Sequence, residues 1–431
     1  MSNPLRLGIA GLGTVGAGVL CLLEEQQELL RQRCGRALLV TAVSSRDRTK
    51  NRGVELSPSV TWYDDARALA KAVDVDVVVE LIGGAEGIAR QVVEAALDAG
   101  KHVVTANKAL LALHGSALAA HAEKADRALC YEAAVGGGIP VIKAIREGLA
   151  ANRFVRVYGI LNGTCNYILT KMEDTGADFD EVLSEAQDLG YAEADPSFDV
   201  DGIDTAHKLT ILASLAYGAH VDFSGVYIEG IRHVGALDIQ FAREFGYRIK
   251  LLGLARRTAH GVEQRVHPCM APLGSPIAEV GGVTNAVVAV GNYAGQSVFE
   301  GPGAGAGPTA SAVIADIVDI ARNQILPPFA APSSQLERAP ASPMDLHQGA
   351  YYVRLTVLDQ PGVMAGITAI MAEHGVSIDS IIQRARAPGA GVPVVMITHD
   401  TEEACMNRVL SQLTALKHVI EPPVRIRIEK L

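Results

Sequence analysis

Cysteine is scarce and unpatterned in this chain. Its six cysteines (Cys21, Cys34, Cys130, Cys165, Cys269 and Cys405) are scattered over 431 residues without a CxxC pair. That excludes a disulfide framework or structural zinc site and fits free thiols in a reducing compartment. Blocks of positive charge are missing too. The formal net charge is −10 and no Lys/Arg cluster offsets it, so nucleic acid is not an expected partner. No apolar run reaches the ~20 residues that cross a bilayer. The opening MSNPLRLGIAG runs into a strand without a basic-then-apolar leader, so the expectation is a cytoplasmic protein with no membrane partner. What remains is an ordinary globular balance, 49% hydrophobic and 20% charged. The length suffices for two or three domains, each with its own core.

The first third reads as a dinucleotide-binding domain, residues 1–150. A short buried strand over 5–10 is followed at once by Gly11-Leu-Gly13-Thr14-Val15-Gly16 and a helical run to about Leu30. GxGxxG is a weak signal alone and a strong one between a strand and a helix. The first glycine permits the turn, the second lets a pyrophosphate approach the backbone, and the third lets helix and strand pack. The N–H groups at the helix start, from Thr14 and Val15 onward, then face the phosphates. The next strand, 37–43, ends in Ser44-Ser45-Arg46-Asp47. Hydroxyls and an arginine at that tip suit a 2′-phosphate, favouring NADP(H), while the adjacent Asp47 leaves NAD(H) open. Further strand–helix alternation implies a doubly wound parallel sheet.

Two later strand ends carry chemistry. Val104-Thr105-Ala-Asn-Lys108 puts a lysine just past a strand's carboxyl end, where open α/β sheets bind ligands; a solvated loop lysine is the alternative. Glu132-Ala-Ala-Val-Gly-Gly-Gly-Ile-Pro140 combines a carboxylate with backbone that can curl its carbonyls together. That pattern suits either a hard cation or a glycine hinge.

From about residue 151 the pattern becomes a mixed α+β domain with a largely antiparallel sheet, to about 307. Within it the run from Glu193 to Lys208 holds five carboxylates and one lysine. Asp204 and Lys208, four apart in a helical pattern, project from one face. An exposed ion pair is the ordinary reading, but the helix continues as LTILASLA, too apolar for a solvated face. Gly301-Pro-Gly303-Ala-Gly305-Ala-Gly307 then leads into a helix over 308–323 that completes the first domain and makes a second backbone cradle.

In this order GLGTVG, VTANK, EAAVGGGIP, LNGTCNYIL, GYAEADPSFDVDGIDTAHKLTIL and GPGAGAGPTASAV closely resemble the homoserine dehydrogenases over residues 5 to about 323. The resemblance implies interconversion of L-homoserine and L-aspartate 4-semialdehyde, within threonine, methionine and isoleucine biosynthesis. By that likeness Lys208 is the proton donor, with Lys108 sharing the site, and Glu193, Asp204 and Asp199 bind substrate. The cofactor contacts it implies are Gly11, Gly13, Thr14, Val15, Gly16, Arg46, Thr105, Lys108, Gly190, Gly303 and Gly305. It also implies a monovalent cation, Na⁺ or K⁺, held by Glu132 and the carbonyls of Val135, Gly137 and Ile139.

A proline-rich stretch over 324–349 reads as an extended, packing-poor linker. Residues 350–431 follow as βαββαβ and resemble the ACT domain, with Asp359-Gln-Pro-Gly362 as its ligand-binding turn. The family likeness makes threonine the expected effector, and the antiparallel sheet and ACT module together suggest a homodimer or homotetramer. A catalytically silent sensor of NAD(P) and amino acid is the competing expectation; it has no need for Lys208 among matched carboxylates.

Overall fold

The structure is a computed structural model and describes residues 3–384 and 391–431. Short apolar runs alternating with helices produce a six-stranded parallel sheet from β1 (Leu5–Ala10), β2 (Leu38–Ser44), β3 (Thr61–Tyr63), β4 (Val77–Glu80), β5 (His102–Thr105) and β6 (Leu129–Cys130). Their order is β3-β2-β1-β4-β5-β6. Chain direction across the sheet reverses between β1 and β4, and the crevice at the carboxyl ends there is where such sheets take a ligand. The last helix of this domain runs Ala306–Ala321, starting two residues before the expected 308. It packs on the helix Thr14–Glu25 at Gly18, where an added Cβ would lie 2.7 Å from the Ala306 carbonyl oxygen.

The second sheet is larger than one domain. Its main path of strands is Gly295–Pro302, Thr284–Gly291, Phe154–Ile160, Tyr247–Thr258, Gly261–Pro272, Val424–Ile428, Gln348–Leu358, Gly391–Thr398 and Ile378–Ile382. The first five pair antiparallel. The ACT-like module then joins them edge to edge, because Cys269 and Met270 pair in parallel with Arg427 and Ile428. No sequence pattern announces that joint, since the paired residues, Cys269 with Arg427 and Met270 with Ile428, lie 158 positions apart. The proline-rich stretch is also better packed than a free linker. Phe329 is buried against the Tyr131 ring at 5.5 Å, the Tyr131 hydroxyl donates to the Pro328 carbonyl at 2.5 Å, and isolated bridges tie Glu337 to Ala219 and Ala341 to Val262.

The helix Ile203–Tyr217 is the centre of the second domain. Thirteen of its fifteen residues are buried, which rules out the solvated-face reading of Asp204 and Lys208. It lies between the second sheet and the helix Lys108–Lys124, so the packing brings Lys108 and Lys208 together. Among the described residues no helix is long and apolar enough to cross a membrane.

Candidate active site

Lys208 and Lys108 meet at one carboxylate. Lys208 Nζ donates to Asp204 Oδ2 at 2.7 Å and to the Leu161 carbonyl at 2.6 Å. Lys108 Nζ pairs with the other oxygen, Asp204 Oδ1, at 2.8 Å. Asn162 braces the cluster: its Oδ1 caps the helix Gly163–Thr175 by accepting from the Cys165 N–H, while its Nδ2 donates to Asp204 Oδ2 at 2.8 Å and Asp199 Oδ1 at 2.7 Å. An Asn at the Ncap is a readable signal. Its second role toward two carboxylates is not, because the partners are about forty residues away. That is the functional residue which sequence reasoning missed.

Asp204 was expected to hold substrate, and in the structure it lies between the two lysines. It is buried; Lys208 and Asn162 hydrogen-bond its Oδ2, and Lys108 lies in ion-pair contact with its Oδ1. Burial works against its charge, but Lys208 and Lys108 outweigh it and hold the carboxyl well below the usual carboxylate range. Asp199 is more available. It is half-buried, accepts only from Asn162 through its side chain, and burial and then the Asp204 charge push its pKa up. Glu193 lies exposed on the loop before it, with no ion pair among the described residues. Asp195 accepts the Ser197 N–H just ahead of the short helix Ser197–Val200, whose Ncap is Pro196, and Asp201 pairs with Arg232.

The lysines are unequal. Burial lowers the Lys208 pKa, with Asp204 opposing and the Lys108 charge reinforcing the fall. Burial also works against Lys108, but Asp204 and Asp199 overcome it and raise its pKa. Lys108 is a third exposed (34%) and sits 5.6 Å from the centre of the Phe198 ring, at the open side of the cluster. Lys208 is the closed one. An ammonium has three donors, and its two contacts leave one N–H uncommitted.

Lys108 is aimed by the turn it follows. The Thr105 hydroxyl donates to Glu80 at 2.6 Å, Asn107 caps the helix Lys108–Lys124 through Leu110 N–H, and Asn107 Nδ2 donates to the Gly84 carbonyl. The Thr105 side chain is thus turned inward, so any cofactor contact it makes is through backbone.

The glycine positions fit a dinucleotide. Gly11 has φ +104°, and a Cβ there would meet the Leu81 carbonyl oxygen at 2.5 Å. A Cβ on Gly16 would strike the Gly11 oxygen at 2.1 Å, whereas Gly13 and Gly190 face open space. No side chain caps the helix Thr14–Glu25 at Gly13 or the helix Ala306–Ala321 at Gly305, so both ends keep free N–H groups where they pack together. Gly303 backs directly onto Asn285 and Gly137. At the tip of β2, Arg46 is exposed, and Arg48 and Arg52 stack over Trp62 at 5.3 and 5.6 Å.

Glu132 does not end a strand as expected; it opens a single turn after β6. Its buried carboxylate accepts the Ile142 and Lys143 N–H groups at 2.8 and 2.9 Å. Burial and the neighbouring Asp316 raise its pKa to about 7. In the turn that follows, Gly137 adopts φ +55°.

Comparison with known proteins supplies the family. Residues 11–132 match the model of the homoserine dehydrogenase NAD-binding domain, residues 140–318 that of homoserine dehydrogenase, and residues 351–418 the ACT domain. The homoserine dehydrogenase of Pseudomonas aeruginosa is 46% identical over 436 residues, covering 100% of both chains. The crystal structure of a homoserine dehydrogenase from Thiobacillus denitrificans has a TM-score of 0.93 at 44% identity, covering 99% of this chain and 98% of that one. A hyperthermophilic archaeal homoserine dehydrogenase in complex with NADPH has a TM-score of 0.63 at 26% identity over 73% of this chain and 97% of its own. With two catalytic-half models and an ACT domain matched along its length, this chain belongs to the homoserine dehydrogenase family of oxidoreductases.

Proposed function

We propose that the site interconverts L-homoserine and L-aspartate 4-semialdehyde, with NADP(H) as the preferred hydride carrier and NAD(H) as the poorer one. The observation that carries this is the uncommitted Lys208 donor, held by Asp204 and the Leu161 carbonyl beside Lys108. The bound nicotinamide supplies or accepts the hydride. In the reducing direction Lys208 gives its proton to the aldehyde oxygen as that carbon becomes an alcohol; in the oxidising direction the neutral amine takes the hydroxyl proton. Lys108 holds the open side of the same oxygen, and Asp199 with Glu193 receives the substrate ammonium. A silent sensor would have no use for a depressed lysine in a buried cluster, and the family membership does not favour that alternative.

The preference for NADP(H) rests on Arg46 among the basic groups at the β2 tip and on the NADPH bound by the archaeal relative. A Na⁺ or K⁺ ion held by Glu132 and the carbonyls of Val135, Gly137 and Ile139 would compensate the buried Glu132–Asp316 pair. Threonine is the proposed effector at the Asp359–Gly362 turn, where Gly362 (φ +91°) opens the helix Val363–Glu373. A cytoplasmic homodimer or homotetramer completes the proposal.

Steady-state kinetics test it. Homoserine should reduce NADP⁺ with a higher kcat/KM than NAD⁺, and threonine should slow the reaction. Serine or malate outpacing homoserine would sink the substrate assignment. Arg46→Ala should lower kcat/KM for NADP⁺ about tenfold, in line with the loss of one charge-assisted phosphate contact. Its kcat/KM for NAD⁺ should stay unchanged; an equal fall with both would remove Arg46 from 2′-phosphate recognition.

A further inference from the structure

A cavity of about 250 Å³ lies where the catalytic sheet meets the ACT module. It is on the opposite face of that sheet from Lys208: Gly253 faces the helix Ile203–Tyr217 through Thr205 and Leu209, and the alternating Leu254 and Arg256 point away. At ~30 Å³ per water it has room for roughly eight waters, which suits a molecule of amino-acid size and excludes a nucleotide.

Its charge arrangement is unusual for a sheet. Arg156 and Arg256 are directly opposite one another on neighbouring antiparallel strands, a like-charge pairing that destabilises a sheet. Arg256 reaches Glu263 through Nη2 at 2.9 Å, yet its buried Nε has no partner. Arg156 has no carboxylate partner at all among the described residues; it stacks on Tyr158 at 5.2 Å and donates to the Lys430 carbonyl. The remaining charges across the cavity are neutralised locally, with Arg265 held by Glu263 and Glu429. From the ACT side comes Asp400, held only by Lys430 in a pair that is half-exposed or more on both sides. Such pairs are worth ~0–1 kcal/mol, so an arriving ammonium can replace Lys430. Leu254 and Ile428 line the space between the two ends.

We propose that this cavity binds a free α-amino acid, with the carboxylate between Arg156 and Arg256 and the ammonium on Asp400. An anion there relieves the like-charge pairing of Arg156 with Arg256. The ligand contacts both the catalytic sheet and the ACT module, so its affinity depends on how the two sit together, which is the requirement for coupling one to the other. The site is separate from the Asp359–Gly362 turn and does not depend on the catalytic assignment.

Calorimetric titration of the full-length protein with L-threonine, L-isoleucine and L-methionine, and with acetate, tests it. At least one amino acid should bind, and Arg156→Met should weaken it tenfold or more. Arg156→Lys should weaken it less, because it keeps the charge and loses the planar fork. Gly362→Asp at the ACT turn should leave the Arg156-dependent Kd unchanged, whatever it does to threonine bound at the turn itself. Homoserine turnover by Arg156→Met within twofold of wild type shows that the fold survives, and failure of turnover in every form would overturn the catalytic reading alone. No heat with any amino acid, acetate binding as tightly as they do, or loss of binding in Gly362→Asp but not in either Arg156 variant would each overturn the cavity site.

Discussion

Lys208→Ala should lower kcat for homoserine oxidation and for aldehyde reduction by roughly 10³, within the ~10²–10⁴ that a positioned acid–base group contributes. The affinity for NADPH should remain within twofold, because the glycine cradles lie on other elements and Lys208 touches none of them. Lys208→Arg should be nearly as slow as the alanine variant: arginine keeps the charge, yet its pKa above ~12 prevents it from exchanging the proton. The pH profile gives an independent readout. Burial lowers the Lys208 pKa, so aldehyde reduction, which needs the protonated lysine, should fail on the alkaline side below the ordinary lysine range near ~10.4. Homoserine oxidation needs the neutral amine and should rise across the same limb. Stopped-flow and steady-state rates in both directions measure this. An alanine variant within tenfold of wild type, or one that retains the alkaline limb, would take Lys208 out of proton transfer.

Much of this site was legible before any coordinates, and for local reasons. GLGTVG between a strand and a helix is a contiguous signal whose physics is contained in ten residues. The i,i+4 spacing of Asp204 and Lys208 fixes their shared face wherever the helix goes. What stayed hidden depends on distant parts of the chain. The Leu161 carbonyl offers no sequence signature, and Asn162 looks like a simple helix cap until Asp199 and Asp204 arrive beside it. Asp204 illustrates the difference most clearly. Five acids in sixteen residues suggested a substrate clamp, but only packing against the helix Lys108–Lys124 decides that Asp204 lies between two lysines while Asp199 accepts from Asn162. The union of the ACT strands with the catalytic sheet at Met270 and Ile428 is of the same kind: each strand is readable alone, and their pairing is not.

Asp204→Asn should damage both stability and rate, and the two effects should separate with pH. The carboxylate lies between two ammonium groups, 2.7 Å from Lys208 and 2.8 Å from Lys108. Without its charge those groups face each other in a largely buried site. Breaking a buried pair costs ~3–5 kcal/mol; because Lys108 is a third exposed and asparagine still accepts one hydrogen bond, about 3 kcal/mol or less is expected at pH 7. The sign follows from Lys208. Its folded-state pKa already lies below the ordinary value, and losing the anion that opposes this depression lowers it further. The unfolded chain then binds more protons than the folded one across that window, so the variant gains stability as pH rises. Urea unfolding at pH 7 and pH 9.5 should therefore show a smaller deficit at the higher pH. Catalysis should respond in the same direction: the alkaline limb of aldehyde reduction moves to lower pH, and kcat falls at least tenfold because one amide oxygen cannot aim both lysines as the charged carboxylate does. A pH-independent stability loss with normal kcat would show that Asp204 merely fills its place in the core; a shifted limb with reduced kcat identifies it as the residue that sets the charge and direction of both lysines.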